Sequence, residues 1–310
     1  MEKTRAKTTR NSLILLLTAT IWGMAFVSQS KGMDYMHPFT FNGVRSLIGA
    51  AGILMYILIS RKIAGDKAAK LDWKLNVKAG LLCGIFLTIA STLQQFGIKY
   101  TSVGKAGFIT TLYIIFVPMF GIFLKKKVAP VVWAAAGMAA VGMYLLCMTE
   151  SLRLGAGDVM VFLCAIAFAI QIMTVDHYAA SIDGAVVSCI QFTVCGVVCC
   201  IGALIWGQPT FGQIQEGLGA LLYAGVLSCG VGYTLQIVGQ KGLNPTVAAL
   251  IMSLESVIAT ISGWIAYKIG FLSTDQTLTP RQIAGCVIVF AAVILVQLPP
   301  EWFRFGKKNA

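Results

Sequence analysis

Apolar residues run through this chain in blocks of about twenty, interrupted by short polar segments, glycine and proline. Twenty helical residues rise about 30 Å, the thickness of a bilayer's hydrocarbon core. Each block therefore predicts one membrane-spanning helix. The pattern gives ten spans, over residues 12–29, 38–60, 76–98, 103–124, 129–148, 157–175, 184–206, 217–239, 245–267 and 280–298. Pro38, Pro130, Pro245 and Pro280 stand at or near span starts, where a helix has no use for the missing N–H. The expected class is an all-α polytopic membrane protein. Residues 1–11 are expected as a cytoplasmic N-terminus, 149–156 as an external connection and 299–310 as a cytoplasmic tail.

One segment occurs twice. Thr-Leu-Gln-x-x-Gly-x-Lys runs from Thr92 to Lys99 and again from Thr234 to Lys241. With the chain shifted by 142 positions, residues 91–123 lie over 233–265 without a gap. Ala106/Ala248, Ile109/Ile251, Leu112/Leu254 and Gly121/Gly263 match as well. A repeat in an apolar chain predicts two related halves, 12–148 and 157–298, an architecture that usually moves something. Each half has five spans, an odd number, so the second enters the bilayer from the opposite side. The expectation is two inverted five-helix repeats.

Composition narrows the class. The 310 residues are 57 % hydrophobic and 12 % charged, about half the charge a soluble surface carries. The net charge of +12 sits in short patches between spans, with no basic, aromatic-interleaved surface to track nucleic acid. Cytoplasmic segments of membrane proteins collect Lys and Arg. Placing the N-terminus inside puts Lys3, Arg5, Lys7, Arg10, Arg61, Lys62, Lys67, Lys70, Lys74, Lys78, Lys125–Lys127, Lys241, Arg304, Lys307 and Lys308 on that side. Only Lys31, Lys99, Lys105, Arg153, Lys268 and Arg281 fall outside. Both termini are thus expected in the cytoplasm and the protein in the cell membrane. The basic start followed by Leu13–Leu17 imitates a signal peptide, but with nine spans following we expect a retained first helix.

Two charges lie within spans. Glu255 is roughly 16 Å into span nine, near the midplane, and Arg45 is closer to the outer end of span two. An intramembrane charge costs several kcal/mol unless it meets water or a partner, which makes it a functional candidate. Glu255 either cycles a proton, holds a cationic group of a substrate, or forms a structural lock. Polar residues within spans are candidates for a cavity wall: Gln94, Gln95, Thr110, Thr111, Tyr113, Gln171, Gln191, Gln236 and Ser253. Tyr113 and Glu255 occupy equivalent repeat positions, which predicts that they meet near the pseudo-symmetry axis. Trp22, Phe26 and Trp264 could stack on a substrate. Helix–helix bonding and interfacial anchoring are the structural alternatives for all of these.

Cofactor and metal motifs are not expected. Gly104-Lys105 lacks the first glycine and the Ser/Thr of a phosphate loop. His37 and His177 fall at span ends, and Cys195 with Cys199 reads as packing rather than a metal pair. Gly80-x-x-x-Gly84 fits close helix packing.

Ile21-Trp22-Gly23-Met24-Ala25-Phe26 resembles the Trp-Gly-x-x-Phe signature of the EamA-type transporters in the drug/metabolite transporter superfamily. Pro38 with Val44-Arg45-Ser46, Pro118, Leu254-Glu255-Ser256-Val257, and Leu278-Thr279 with Gln282-x-x-Gly285 are similar to further family patterns. Ser256 stands where the family commonly has Pro, which implies a milder break in span nine. An acidic residue usual before the last span is missing, with Asp275 a loose stand-in. The resemblance implies secondary transport of a small polar metabolite, an amino acid or related compound, with export favoured and no enzyme activity. It also implies that Arg45 and Glu255, shared by transporters of many substrates, serve fold or gating. A flippase of a lipid-linked intermediate, a membrane-embedded enzyme and a non-transporting sensor or scaffold remain the alternatives. Proton coupling and homo-oligomers stay open.

Overall fold

A computed structural model describes residues 2–65, 71–124, 128, 130–147, 155–273 and 275–297. The tail 299–310, most of the connection 149–156, and Lys67, Lys70, Lys125–Lys127, Arg153, Arg304, Lys307 and Lys308 lie outside these residues. Every described element is a helix or a connection between helices. Eight helical stretches are long and apolar enough to cross a membrane: Thr8–Gly32, Pro38–Ala64, Trp73–Ile98, Val103–Phe123, Ala156–Tyr178, Gly184–Gly207, Leu218–Gln240 and Pro245–Lys268. Two shorter apolar helices, Pro130–Gly142 and Pro280–Leu295, bring the total to ten. They are numbered as spans one to ten in chain order. The four predicted prolines each occupy the first residue of a helix. The first helix starts at Glu2, earlier than the apolar pattern alone suggests.

Packing reveals the two halves. Span two lies along span seven and span five along span ten, so each pairs with its own counterpart. Span three packs on span six, and the equivalent pair is span eight on span one. Span one packs on span nine, mirrored by span six on span four. The contacts therefore obey a pseudo-two-fold operation. Close approach depends on glycine. A Cβ at Gly80 would lie 2.7 Å from Ile190 Cβ, and one at Gly84 would lie 2.9 Å from Val194 Cβ. The Gly80-x-x-x-Gly84 stripe thus seats span three on span seven. Leu54, Met55, Leu58 and Ile59 on span two, and Val197, Val198 and Ile201 on span seven, remain exposed, as a lipid-facing surface requires.

Spans four and nine are each broken near the middle. Val103–Thr111 and Tyr113–Phe123 join at Leu112, and Pro245–Met252 and Leu254–Lys268 join at Ser253. Thr111 and Ser253 are 142 positions apart. The Thr111 hydroxyl donates to the Phe108 carbonyl at 2.8 Å, and the Ser253 hydroxyl donates to the Leu250 carbonyl at 2.7 Å. Phe108 and Leu250 are also 142 apart. A hydroxyl that bonds its own helix backbone bends the helix, and here the same device stands in both halves. Backbone ψ at both breaks stays helical, −10° at Leu112 and −15° at Ser253, so each is a bend rather than an unwinding. Span eight departs more strongly, with a π-helical stretch over Tyr223–Gly232 between α-helical ends.

Candidate functional site

The polar residues of the spans converge on a central cavity of about 30 Å³. Trp22, Ala25, Phe26 and Gln29 of span one form part of its wall, with Arg45, Gln94, Thr110 and Tyr113 from spans two, three and four. Phe168, Gln171 and Ile172 of span six, Ser228, Tyr233 and Gln236 of span eight, and Glu255 complete it. Nine of the fourteen residues singled out from the sequence thus meet here: Glu255, Arg45, Tyr113, Gln94, Gln236, Thr110, Gln171, Trp22 and Phe26. Thr111 and Ser253 do not line it; they are the bend hydroxyls. Trp264 is on the protein surface, and Asp275 is exposed in the loop before span ten, where it accepts the Thr277 N–H at 2.8 Å.

On the cavity wall the Tyr113 hydroxyl donates to Glu255 Oε1 at 3.0 Å, with both side chains buried. The pair joins equivalent positions of the two repeats, so it marks the pseudo-symmetry axis. Gly23 lets span one approach it: a Cβ there would fall 2.8 Å from the Glu255 carbonyl and 2.6 Å from Ile258 Cβ. This gives the glycine of the Trp-Gly pair a steric reason.

The cavity extends the repeat beyond the region legible at first sight. Ala25-Phe26-x-x-Gln29 in span one and Ala167-Phe168-x-x-Gln171 in span six are 142 positions apart. Four glutamines therefore form two equivalent sets. Gln29 and Gln94 lie toward the face bearing Lys99, and Gln171 and Gln236 toward the face bearing Lys241. Their bonding differs. Gln171 Nε2 donates to Gln236 Oε1 at 3.5 Å, and Gln236 Nε2 donates to Gln171 Oε1 at 3.2 Å. Gln191 Oε1 accepts from Gln171 at 3.4 Å. On the other side Gln94 Nε2 donates instead to Thr110 Oγ1 at 3.1 Å. Gln29 Oε1 is buried without a hydrogen-bond partner among the described residues. Gln95, which does not line the cavity, donates to the Gln29 carbonyl at 3.1 Å.

An aromatic wall flanks these amides. Trp22 and Tyr233 have ring centroids 4.5 Å apart, and Phe192 stands edge-on to Tyr233 at 5.0 Å. Two donors on the cavity have no hydrogen-bond partner among the described residues: Trp22 Nε1 and Arg45 Nε. Arg45 lies over the Phe41 ring at 5.4 Å.

Beyond the cavity, the Lys99 face is tied by Lys105 Nζ to Asp158 Oδ2 at 2.5 Å, with the Thr101 hydroxyl and the Gly155 N–H also donating to Asp158. On the opposite face Lys241 Nζ donates to the Ile182 carbonyl at 3.0 Å, and Asn11 donates to the Lys241 carbonyl at 2.7 Å. The eight cysteines whose side chains are described are free thiols. Among the described residues no three His, Cys, Asp or Glu side chains gather closely enough to hold a metal ion.

Gln29, Phe168, Ser228 and Tyr233 were not singled out from the sequence. The signal for Gln29 and Phe168 was the second repeated motif; Tyr233 and Ser228 offer none.

Known proteins match this arrangement along almost its whole length. The chain is 27 % identical over 290 residues to an "Uncharacterized transporter" of Archaeoglobus fulgidus, covering 92 % of this chain and 84 % of that protein. It is 25 % identical over 295 residues to "Uncharacterized transporter YwfM" of Bacillus subtilis, covering 94 % of each. A solved crystal structure superposes with a TM-score of 0.73 at 16 % identity, covering 96 % of this chain and 99 % of that one, and shares the fold. The EamA-like transporter family matches residues 10–148 and again 155–298, so the chain belongs to that family and is a membrane transporter of the drug/metabolite transporter superfamily.

Proposed function

We propose that the protein moves a small polar metabolite, an amino acid or related compound, through the central cavity by alternating access. The glutamine arrangement carries this reading. Two equivalent amide pairs flank one cavity; the pair toward the Lys241 face is bonded, and the pair toward the Lys99 face is not. Exchanging the conformations of the inverted halves would bond Gln29 to Gln94 and part Gln171 from Gln236, so that each face opens in turn. A cavity of about 30 Å³ holds roughly two waters, so loading cargo requires such an opening. The concentration of Lys and Arg supports a cytoplasmic Lys241 face, in the cell membrane with both termini inside. Family resemblance favours export. Glu255, Tyr113, Arg45, Trp22, Thr110, Gln94, Gln171 and Gln236 are the proposed cargo or coupling contacts, with Glu255 as the proton carrier and Thr111 and Ser253 as bends.

The flippase alternative draws on one observation, an apolar groove of about 390 Å³ between spans one, nine and ten. It shares no lining residue with the central cavity, which favours the metabolite reading.

The test compares metabolites inside and outside cells making the wild type, Glu255→Gln or neither protein. A small set of compounds displaced outward by the wild type supports export of that class, and loss of the displacement in the variant supports coupling through Glu255. Displacement unchanged in Glu255→Gln, with unchanged pH dependence, removes the proton role. An absence of displacement with folded protein in the membrane counts against the export reading.

A further inference from the structure

The cavity residues divide into those the repeat duplicates and those it does not. Phe26 and Phe168, Gln29 and Gln171, and Gln94 and Gln236 are duplicated. Trp22 is matched by Cys164, Thr110 by Met252, and Tyr233 by Ser91, and span seven, the counterpart of span two, carries no arginine to match Arg45. Exchanging two inverted halves swaps the surroundings of duplicated residues, which suits them to opening and closing. An unduplicated residue has no counterpart to exchange with. Its chemistry is available on one side of the cavity only, as recognition of an asymmetric cargo requires.

Among the unduplicated residues Arg45 is the least satisfied. It is 5 % exposed, its guanidinium is permanently charged, and no described carboxylate lies within 4.0 Å of it. Glu255, the acid on the same cavity, is bonded to Tyr113 instead. A buried cation without a counter-ion is destabilising by several kcal/mol. Trp22 lines the same cavity, and its Nε1, in a side chain that is 9 % exposed, is also without a partner among the described residues. Gly232 lets span eight approach this indole closely, since a Cβ there would lie 2.7 Å from that nitrogen. Two buried donors and one fixed positive charge on one cavity suit an anionic acceptor.

We propose that Arg45 and Trp22 form a carboxylate subsite, and that a carboxylate is the group by which the protein recognises its cargo. The inference rests on the transport reading above and adds which end of the cargo is read. Arg45 offers its forked donors to the two carboxylate oxygens, and the Trp22 N–H supplies a further donor. The Trp22–Tyr233 wall accepts the apolar part of the cargo. A residue that reads the carboxylate alone serves cargoes with different side chains.

The experiment uses the purified full-length protein in proteoliposomes, with a panel of L-amino acids, the matching 2-oxo acids and simple carboxylic acids, and the matching amino-acid amides and decarboxylated amines. Exchange across the bilayer and thermal stabilisation are read for each compound. Expected are exchange and stabilisation by acids, with amides and amines at least tenfold weaker. The half-saturating concentration should rise roughly ten- to hundredfold in Arg45→Gln, the loss of one charged hydrogen-bonding group, and less in Arg45→Lys and Trp22→Phe. Trp22→Phe keeps every charge and tests the subsite even if Arg45→Gln does not fold. Amides exchanged as well as acids, or acids exchanged equally by the wild type, Arg45→Lys and Trp22→Phe, overturn the carboxylate subsite and leave transport standing. Exchange of no panel compound, with scrambling of labelled lipid instead, overturns both readings.

Discussion

Spans three and eight are the same element in the two halves, yet their backbones differ. Span three is one α-helix over Trp73–Ile98. Span eight turns π-helical over Tyr223–Gly232 and returns to α only at Tyr233. The residues supply a reason. Residues 81–90 contain one glycine, Gly84, whereas the equivalent 223–232 contain Gly225, Gly230 and Gly232. Glycine tolerates departures from α geometry and lets neighbouring spans approach. A Cβ at Gly225 would lie 2.8 Å from Ile48 Cγ2 and 2.9 Å from the Arg45 carbonyl. The π-helical stretch also brings Ser228 to the cavity wall. The halves thus share their bends and amide positions and differ where chemistry is needed, at span eight and on the axis.

The sharpest way to break this comparison is to exchange the axial residues. Tyr113→Glu alone sets two carboxylates against each other in a buried site and should destabilise the protein by roughly 3–5 kcal/mol. Combining it with Glu255→Tyr should recover most of that loss. Thermal unfolding in detergent reads both, and equal stability of single and double variants would contradict the pairing. Next in size, Gly225→Ala should cost about 1–3 kcal/mol through overpacking. Its counterpart Cys83→Ala removes only a buried sulfur and overpacks nothing, so it should cost less in the same assay.

A smaller effect separates the two amide pairs. Gln236→Leu removes reciprocal interhelical bonds worth about 0.6–1.7 kcal/mol, so a cysteine at position 234 should react with a polar maleimide roughly three- to tenfold faster. Gln94→Leu should leave that rate unchanged; a matching acceleration would show that the pairs do not act on separate faces. The smallest effect concerns His37, which lies just before span two and accepts the Phe39 N–H at 3.4 Å. Burial, with Lys99 nearby, holds its imidazole below the usual 6.5. A depressed value means that the folded protein favours neutral histidine. That contribution is full above pH 6.5 and is lost as pH falls through the lower folded value. Titration by NMR should find the midpoint below 6.5, and a midpoint above it would reject the assignment.

The sequence disclosed the spans because apolar length and proline position are set by the bilayer and the backbone. It disclosed Thr92–Lys99 and Thr234–Lys241 because Gln and Lys are conspicuous in an apolar chain. Ala25-Phe26-x-x-Gln29 escaped notice because Ala and Phe are ordinary there and only one residue stands out. Thr111 and Ser253 were misplaced for a different reason: a hydroxyl within a span can face a cavity or its own helix, and periodicity does not separate the two. The π-helical stretch was equally hidden, since glycine permits it but contacts with spans one and two decide it. Arg45 was legible as a buried charge, but the lack of a carboxylate beside it is a property of the packed molecule.

The Tyr113–Glu255 bond has a consequence for how such a protein can be assembled. If two identical five-helix polypeptides associated head to tail, the residue on the axis would face a copy of itself. Two glutamates would repel, and two tyrosines would bring no acid. A donor opposite an acceptor at that point demands that the halves differ, and one continuous polypeptide guarantees that each molecule contains one of each. A single carboxylate on the axis therefore requires two different halves, and joining them in one polypeptide fixes their ratio at one to one.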